Sequence, residues 1–169
     1  LTIETTRIAT DRPVGVISDT HGLLREEALA LLADCDPLIH LGDVGDPAIL
    51  RQLEALAPLY SVRGNIDREG ECAALPLHCR LEINGRALQL VHDIADTDET
   101  MACEAVLHGH SHKPRNEWRE GAWQGKEETR RLLFNPGAAG KRRFTLPLTL
   151  GKLWIDAAGI RGAILHLPL

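Results

Sequence analysis

The sequence predicts an α/β protein in which two mixed β-sheets pack as a sandwich flanked by helices. Three observations carry that class. The first third alternates short apolar runs with helical patterns, the middle holds an Asn84-Gly85 dipeptide between apolar segments, and the last third is a succession of strands with no helical pattern between them. Strand and helix in strict alternation mean parallel strands joined by crossovers, whereas Asn-Gly between apolar runs means an antiparallel hairpin. Two mixed sheets packed face to face, with helices outside, accommodate both halves.

Each element has its own reason. "VGVI" (14–17) is short, apolar and bounded by polar residues, as a buried strand is. Residues 23–36 follow with helical spacing that puts Leu24, Ala28, Leu31 and Leu32 on one side. "LIHL" (38–41) is the next strand. Residues 46–58 then open with Asp46 as N-cap and Pro47 at the first helical position, the preferred order for a helix start. "LYSV" (59–62) closes the alternating part, whose crossovers are right-handed by rule. Beyond it, "LEINGRALQLV" (81–91) is the hairpin, a short helical segment is expected near 96–104, and "AVL" (105–107) is a further buried strand. From "LLFN" (132–135) onward, "LTLGKLWID" and "GAILHL" read as antiparallel strands.

Bulk properties bound the function. A chain of 169 residues fits one domain, 1–169, and a chain near that size buries about 70% of its unfolded surface. Hydrophobic residues at 44% and charged ones at 25% exclude disorder. A net charge of -5 argues against a surface built to follow a nucleic-acid backbone or an anionic membrane. No apolar run reaches the ~20 residues of a membrane span, so a cytoplasmic location is expected. Cys35, Cys72, Cys79 and Cys103 are scattered without a C-x-x-C pair and read as reduced.

The polar residues are less evenly spread. "VGVI" runs into "SDTH", "LIHL" into "GD", "LYSV" into "RGNID", "LQLV" into "HD", and "AVL" into "HGHSH". Ligands bind at the carboxyl edge of parallel strands, so these distant segments can converge there. Asp19 and His21 are two apart, and in an extended segment their side chains leave on the same side. Asp43 has two carboxylate oxygens and could bridge two cations; Asn65 offers a neutral oxygen, and His92, His110 and His112 offer imidazole nitrogens. Such a donor set, without thiolate, suits Mn, Fe, Co, Ni or Zn better than Ca or a structural zinc. His40, His78 and His166 read as hydrogen-bonded or surface imidazoles, and His108 as either the end of its strand or a support behind the ligands. A Ser-His-Asp hydrolase on Ser18 or Ser111 is disfavoured, since neither serine sits in a G-x-S-x-G elbow.

Taken in order, "DTHG", "GD", "GNID", a histidine after the fourth strand, and "GHSH" followed by "NPGA" resemble the calcineurin-like metallophosphoesterases. They look closest to the small bacterial and archaeal phosphodiesterase subgroup. The resemblance runs from Asp19 to about Gly137. It implies a four-layer αββα sandwich holding two divalent metal ions. Manganese is the foremost candidate, with Ni, Fe, Co or Zn as the others. By resemblance Asp19, His21, Asp43 and His112 hold one ion and Asp43, Asn65, His92 and His110 the other, with Asp43 as the bridge. It implies catalytic parts for Asn65, as a phosphate contact, and for Asp67, as support for a neighbouring imidazole. The activity implied is hydrolysis of phosphodiesters in a small phosphoester substrate, by a hydroxide held between two cations ~3.5–4 Å apart. The alternative is a catalytically weak or inactive protein-binding scaffold of the same fold, which the intact ligand set disfavours. Extended nucleic acid is a third choice, disfavoured by the acidic charge and the lack of a basic, aromatic-lined groove.

Four departures stand out. Many relatives carry histidine where this chain has Ile66, which cannot protonate a leaving group. Asp93 replaces the usual glycine after His92 and could orient an imidazole, accept a proton or sit in solvent. Residues 113–131, with Trp118 and Trp123, form a longer link than expected; they could cover the site, meet another subunit in a homo-oligomer, or be a solvated hairpin. "GKRR" (140–143) could bring Lys141, Arg142 or Arg143 to a substrate phosphate, or be solvated surface.

Overall fold

The computed structural model describes residues 3–121 and 129–169. The chain enters on Thr5–Ile8 (β1) and continues through Val14–Ile17 (β2), Glu26–Leu32 (α1), Leu38–His40 (β3), Pro47–Glu54 (α2), Leu59–Ser61 (β4) and Gly70–Ala73 (α3). His78–Ile83 (β5) and Arg86–Val91 (β6) follow, then Ala105–Leu107 (β7), Arg115–Gly121 (β8), Thr129–Asn135 (β9), Thr149–Asp156 (β10) and Gly159–His166 (β11).

These strands form two mixed sheets, a five-stranded one in the order β11-β10-β2-β3-β4 and a six-stranded one in the order β1-β5-β6-β7-β9-β8. In the first, β2, β3 and β4 are parallel and β10 runs antiparallel to β2. In the second, β6, β7 and β9 are parallel, while the Asn84-Gly85 turn makes β5 and β6 antiparallel. The expected α/β sandwich of two mixed sheets is therefore observed.

The core lies between the sheets. Val14, Val16 and Ile39 of one face meet Leu81, Leu88, Leu107 and Phe134 of the other, all fully enclosed. Each such side chain contributes about 1.5–3 kcal/mol relative to exposure, which holds the layers in one register. Helices α1 and α2 cover the outer face of the five-stranded sheet, where Leu32, Ile49 and Leu53 pack on Ile17, Leu38 and Leu150. The outer face of the six-stranded sheet is covered more thinly, by Ile94 and Cys103 against Val91, Val106 and Leu133.

Some boundaries differ from expectation, each for a local reason. Helix α1 is shorter than 23–36 because Pro37 disfavours helical backbone at Asp36, whose N–H instead donates to the Pro13 carbonyl. Helix α2 starts as expected, Asp46 accepting from the Ala48 N–H at 2.9 Å, and ends before Pro58. The helix expected near 96–104 does not form; a single 3-10 turn, Ile94–Asp96, stands there instead. Gln89 reaches out of β6 to clasp the Asp98 backbone on both sides, and the Asp98 carboxylate binds Thr100, so side chains take the groups a helix would pair.

The described residues of segment 113–131 lie mostly in two strands. Strand β8 pairs antiparallel with β9, Trp118 packs on the core, and Arg130 lies over the Trp118 ring at 4.9 Å. Trp123 falls outside the described residues. All four cysteines are free thiols. Among the described residues no helix is long and apolar enough to cross a membrane.

Candidate metal centre

The carboxyl ends of β2, β3, β4, β6 and β7 open at one edge of the sandwich, and the loops leaving them bring the predicted side chains together. Two groups result: Asp19, His21 and His112, and Asp43, His92 and His110, each with ligand atoms within 4.8 Å of one another. Asp43 joins them, since its Oδ2 is 3.4 Å from His21 Nε2 and 3.3 Å from His92 Nε2. Asn65 is drawn in as well, its amide oxygen 3.0 Å from His92 Nε2 and 3.1 Å from His110 Nδ1.

The two carboxylates are built alike. In Asp19, Oδ2 accepts from the Ser18 hydroxyl at 2.7 Å and from the His110 N–H at 3.1 Å. Its Oδ1 accepts no hydrogen bond and faces His112 Nε2 at 3.4 Å and His21 Nε2 at 3.8 Å. In Asp43, Oδ1 accepts from the Ile66 N–H at 3.0 Å, leaving Oδ2 to the imidazoles. One oxygen of each thus fixes the side chain and the other is presented to the cluster. His92 is fixed in the same way: Nδ1–H donates to the Leu41 carbonyl at 2.7 Å, which turns the Nε2 lone pair inward.

Backbone strain is concentrated here. Asp19, His21, Asp43, His110 and His112 all have φ between 47° and 71°, in the left-handed region that side-chain-bearing residues avoid. The segment holding Asp19 and His21 is therefore a turn, and the expected extended geometry is not what brings the two together. Such conformations cost about 1–3 kcal/mol each and persist where the surroundings enforce them.

Asp67 does much of the enforcing. It was expected to support a neighbouring imidazole; instead its buried carboxylate accepts from the backbone N–H groups of Asp43 and Gly64, both at 2.9 Å, and of Val44 and Gly45. It clamps the Gly-Asp loop onto the Gly-Asn loop. Gly64 makes that approach possible, since a Cβ there would lie 2.2 Å from both the Asp43 nitrogen and Oδ1. Asn135 serves the third loop, donating to the Gly109 carbonyl and the Ser111 hydroxyl, both at 3.1 Å, while its oxygen accepts from the Gly137 N–H. Sequence reasoning missed Ser18 and Asn135 as parts of the site, although both occupy the last strand position or the residue just after it.

The cluster's electrostatics fit a cation. Burial alone would raise the Asp19 carboxyl, but His112, His21, Ser18 and the charge of His92 outweigh it and hold the group well below the usual carboxylate range. Burial likewise opposes ionisation of Asp43, and His92 with the Ile66 N–H prevails and lowers it. His92 responds in kind: burial disfavours its charge, yet Asp43 and Asp19 push it up to about 9. A divalent ion would displace that proton. Within the two ligand groups, three buried atoms, Asp19 Oδ1, His21 Nε2 and His112 Nδ1, have no hydrogen-bond partner. Asn65 can also be turned over, its NH2 then donating to Asp43 and to both imidazoles; with the oxygen inward, lone pairs converge, as they do around a cation.

A family profile described as the calcineurin-like phosphoesterase superfamily domain matches residues 13–157. The chain belongs to that superfamily. A relative described as a probable metallophosphoesterase, from Methanothermobacter thermautotrophicus, is 30% identical over 149 residues, covering 79% of this chain and 81% of its own. The fold is shared with YfcE, a phosphoesterase from E. coli (TM-score 0.64, 22% identity, 92% of this chain and 99% of that one). It is shared as well with Vps29 of Entamoeba histolytica, solved as a single mutant (TM-score 0.64, 18% identity, 91% and 98%). Membership in the superfamily, with the two ligand groups, supports phosphoester hydrolysis dependent on divalent metal.

The departures within this phosphoesterase site also have places. Ile66 is exposed and lines a hollow with His21 and His112. Asp93 caps the 3-10 turn through the Ala95 N–H, with its Oδ2 3.8 Å from His110 Nε2. His108 is buried behind the loop, its pKa lowered to about 4 by burial and by Arg115 nearby, with no hydrogen-bond partner for either ring nitrogen. Of the two readings expected for His40 the hydrogen-bonded one holds: it is enclosed, bonded to the Thr20 hydroxyl and accepting from the Gly42 N–H, both at 3.0 Å.

Proposed function

We propose that this chain is a dinuclear metal-dependent phosphodiesterase. The observation that carries the reading is the joining of two three-residue ligand groups through one oxygen of Asp43. Asp19, His21, Asp43 and His112 would hold one ion, and Asp43, Asn65, His92 and His110 the other. When bound, a pair of divalent cations makes a water nucleophilic near neutral pH and neutralises charge developing on the phosphate.

The chain's own residues supply the rest. The anchored oxygens of Asp19 and Asp43 and the Leu41 carbonyl on His92 preset the donors, so little reorganisation accompanies binding. His110 and Asn65 are on the solvent side, and substrate enters past them. The Asn65 amide would touch a phosphate oxygen. Asp67 acts through the backbone of the ligand loops, as a positioning residue. Ile66 offers no proton, so esters with good leaving groups are the better substrates, and phosphodiesters of aromatic alcohols the natural first assay.

The test is to strip the protein of metal, reload it separately with Mn, Ni, Fe, Co or Zn, and measure turnover of bis(p-nitrophenyl) phosphate. Wild type is expected to turn over with two ions bound per chain. Asp43→Asn is expected to lower turnover by at least ~100-fold and to reduce metal content, since even residues behind metal ligands are worth 10–100-fold. Metal uptake without turnover on any diester would refute the enzymatic reading and leave a binding scaffold. Unchanged turnover in the variant would refute the ligand assignment.

A further inference from the structure

We infer that Lys141, Arg142 and Arg143 form a second anion subsite beside the metal centre, and that the natural substrate is a small phosphoester carrying a further phosphate. The inference rests on the phosphoesterase reading above and extends it to the substrate. A hollow of about 380 Å³ is lined by His21 and His112 of the ligand groups, by Gly45 and Ile66, and by the three cationic residues. A water occupies about 30 Å³ in the liquid, so the space admits a phosphate with part of a sugar.

The basic residues are held where they are from their root. Gly140 lies so close to the ligand loop that a Cβ there would be 1.9 Å from the Thr20 carbonyl oxygen, and Thr20 sits between Asp19 and His21. The Arg25 Nε–H donates to the Gly140 carbonyl at 3.0 Å, and the Ala139 N–H to the Ser18 carbonyl at 3.2 Å. The backbone from which the cations branch is therefore held against the ligand loop at Ala139 and Gly140. Among the described residues none of the three makes an ion pair; Arg142 reaches only the Leu146 carbonyl, at 3.5 Å.

Charge matching selects the ligand. In a diester the single charge on the cleaved phosphate would be met by the ions that the two ligand groups would hold. Three further cations on the His21 and His112 flank exceed what that charge requires, in a chain whose net charge is -5. A second phosphate on the substrate balances them. The same chemistry could come from the next phosphate of a nucleic-acid strand, but the acidic chain favours the small ester.

The experiment uses the metal-loaded chain and two p-nitrophenyl nucleoside phosphodiesters, identical except that one bears an additional phosphate on its sugar. Wild type is expected to favour the more charged ester by roughly 10-fold in kcat/KM, the sum of a few exposed ion pairs, and less at high salt. In the Lys141→Ala, Arg142→Ala, Arg143→Ala triple variant that ratio should fall toward one. All three side chains are exposed, and a thermal melt checks that the variant folds. Calorimetry with the matching nucleoside monophosphate and bisphosphate reads the same preference without turnover. A ratio near one in wild type, or an unchanged ratio in the triple variant, overturns the subsite. If wild type cleaves neither ester nor bis(p-nitrophenyl) phosphate, the phosphodiesterase reading fails; whenever the nucleoside esters are not turned over, the calorimetric ratio alone decides the subsite. Tighter binding of a single-stranded DNA oligonucleotide than of the bisphosphate overturns the small-ester assignment.

Discussion

Replacing Asp67 with alanine removes the acceptor for four backbone N–H groups at once. Those of Asp43, Val44 and Gly64 belong to buried residues, while Gly45 is exposed and can turn to water. A buried donor left without a partner costs about 1–3 kcal/mol, and the three losses are not independent, since the loops relax together. A net loss of about 4 kcal/mol is expected, at the high end for a single substitution. For a chain of this size each kcal/mol lowers Tm by about 2–4 °C, so the melt should move down by roughly 8–16 °C. Asp67→Asn keeps one acceptor oxygen and should lose about half as much. Because the released loops carry Asp43 and Asn65, metal affinity should also fall at least ~10-fold in both variants. Thermal melts followed by circular dichroism, with metal titration of the stripped proteins, measure both effects. A shift below ~3 °C in Asp67→Ala together with wild-type metal affinity would show that the clamp does not hold the site.

Three further perturbations probe the same architecture. Burial holds His40 down to about 4, so above pH ~6.5 its folded and unfolded forms are both neutral, whereas below that only the unfolded chain takes up the proton. Its contribution of about 3 kcal/mol is thus lost as pH falls from ~6.5 to 4, and urea titrations at the two ends should show a smaller difference in His40→Gln. Gly64→Ala drives a methyl into the Asp43 backbone and should cut metal uptake by more than ~10-fold; wild-type metal content in the purified variant would contradict the close approach. Asn135→Ala frees the Gly109 carbonyl, the Ser111 hydroxyl and the Gly137 N–H, and urea denaturation should register a loss of about 2 kcal/mol.

How much of this was legible in the chain depends on what kind of signal each feature leaves. Strands β2 and β7 were read to the residue because both faces of each are buried, which leaves an uninterrupted apolar run. Strands β1 and β8 left no such trace. They are the two edges of the six-stranded sheet, and their mostly exposed or half-exposed side chains, "TTRI" and "RNEWREG", need not be apolar. Helix α2 announced itself through Asp46 and Pro47, while the absence of a helix near 96–104 followed from Gln89 and Asp98, whose pairing crosses from strand to loop.

The site divides along the same line. That ligand-type residues follow five apolar runs is a property of the chain order, and it determined which side chains meet, because parallel strands deliver their carboxyl ends to one edge. Tertiary structure alone decided how they meet: the left-handed backbone at Asp19, His21, Asp43, His110 and His112, the grip of Asp67 on the N–H groups of Asp43 and Gly64, and the anchoring of the third loop by Asn135. A residue's type and spacing carry no record of a strained φ or of a backbone N–H given to a carboxylate elsewhere in the chain. Both arise only once packed sheets hold the loops against one another.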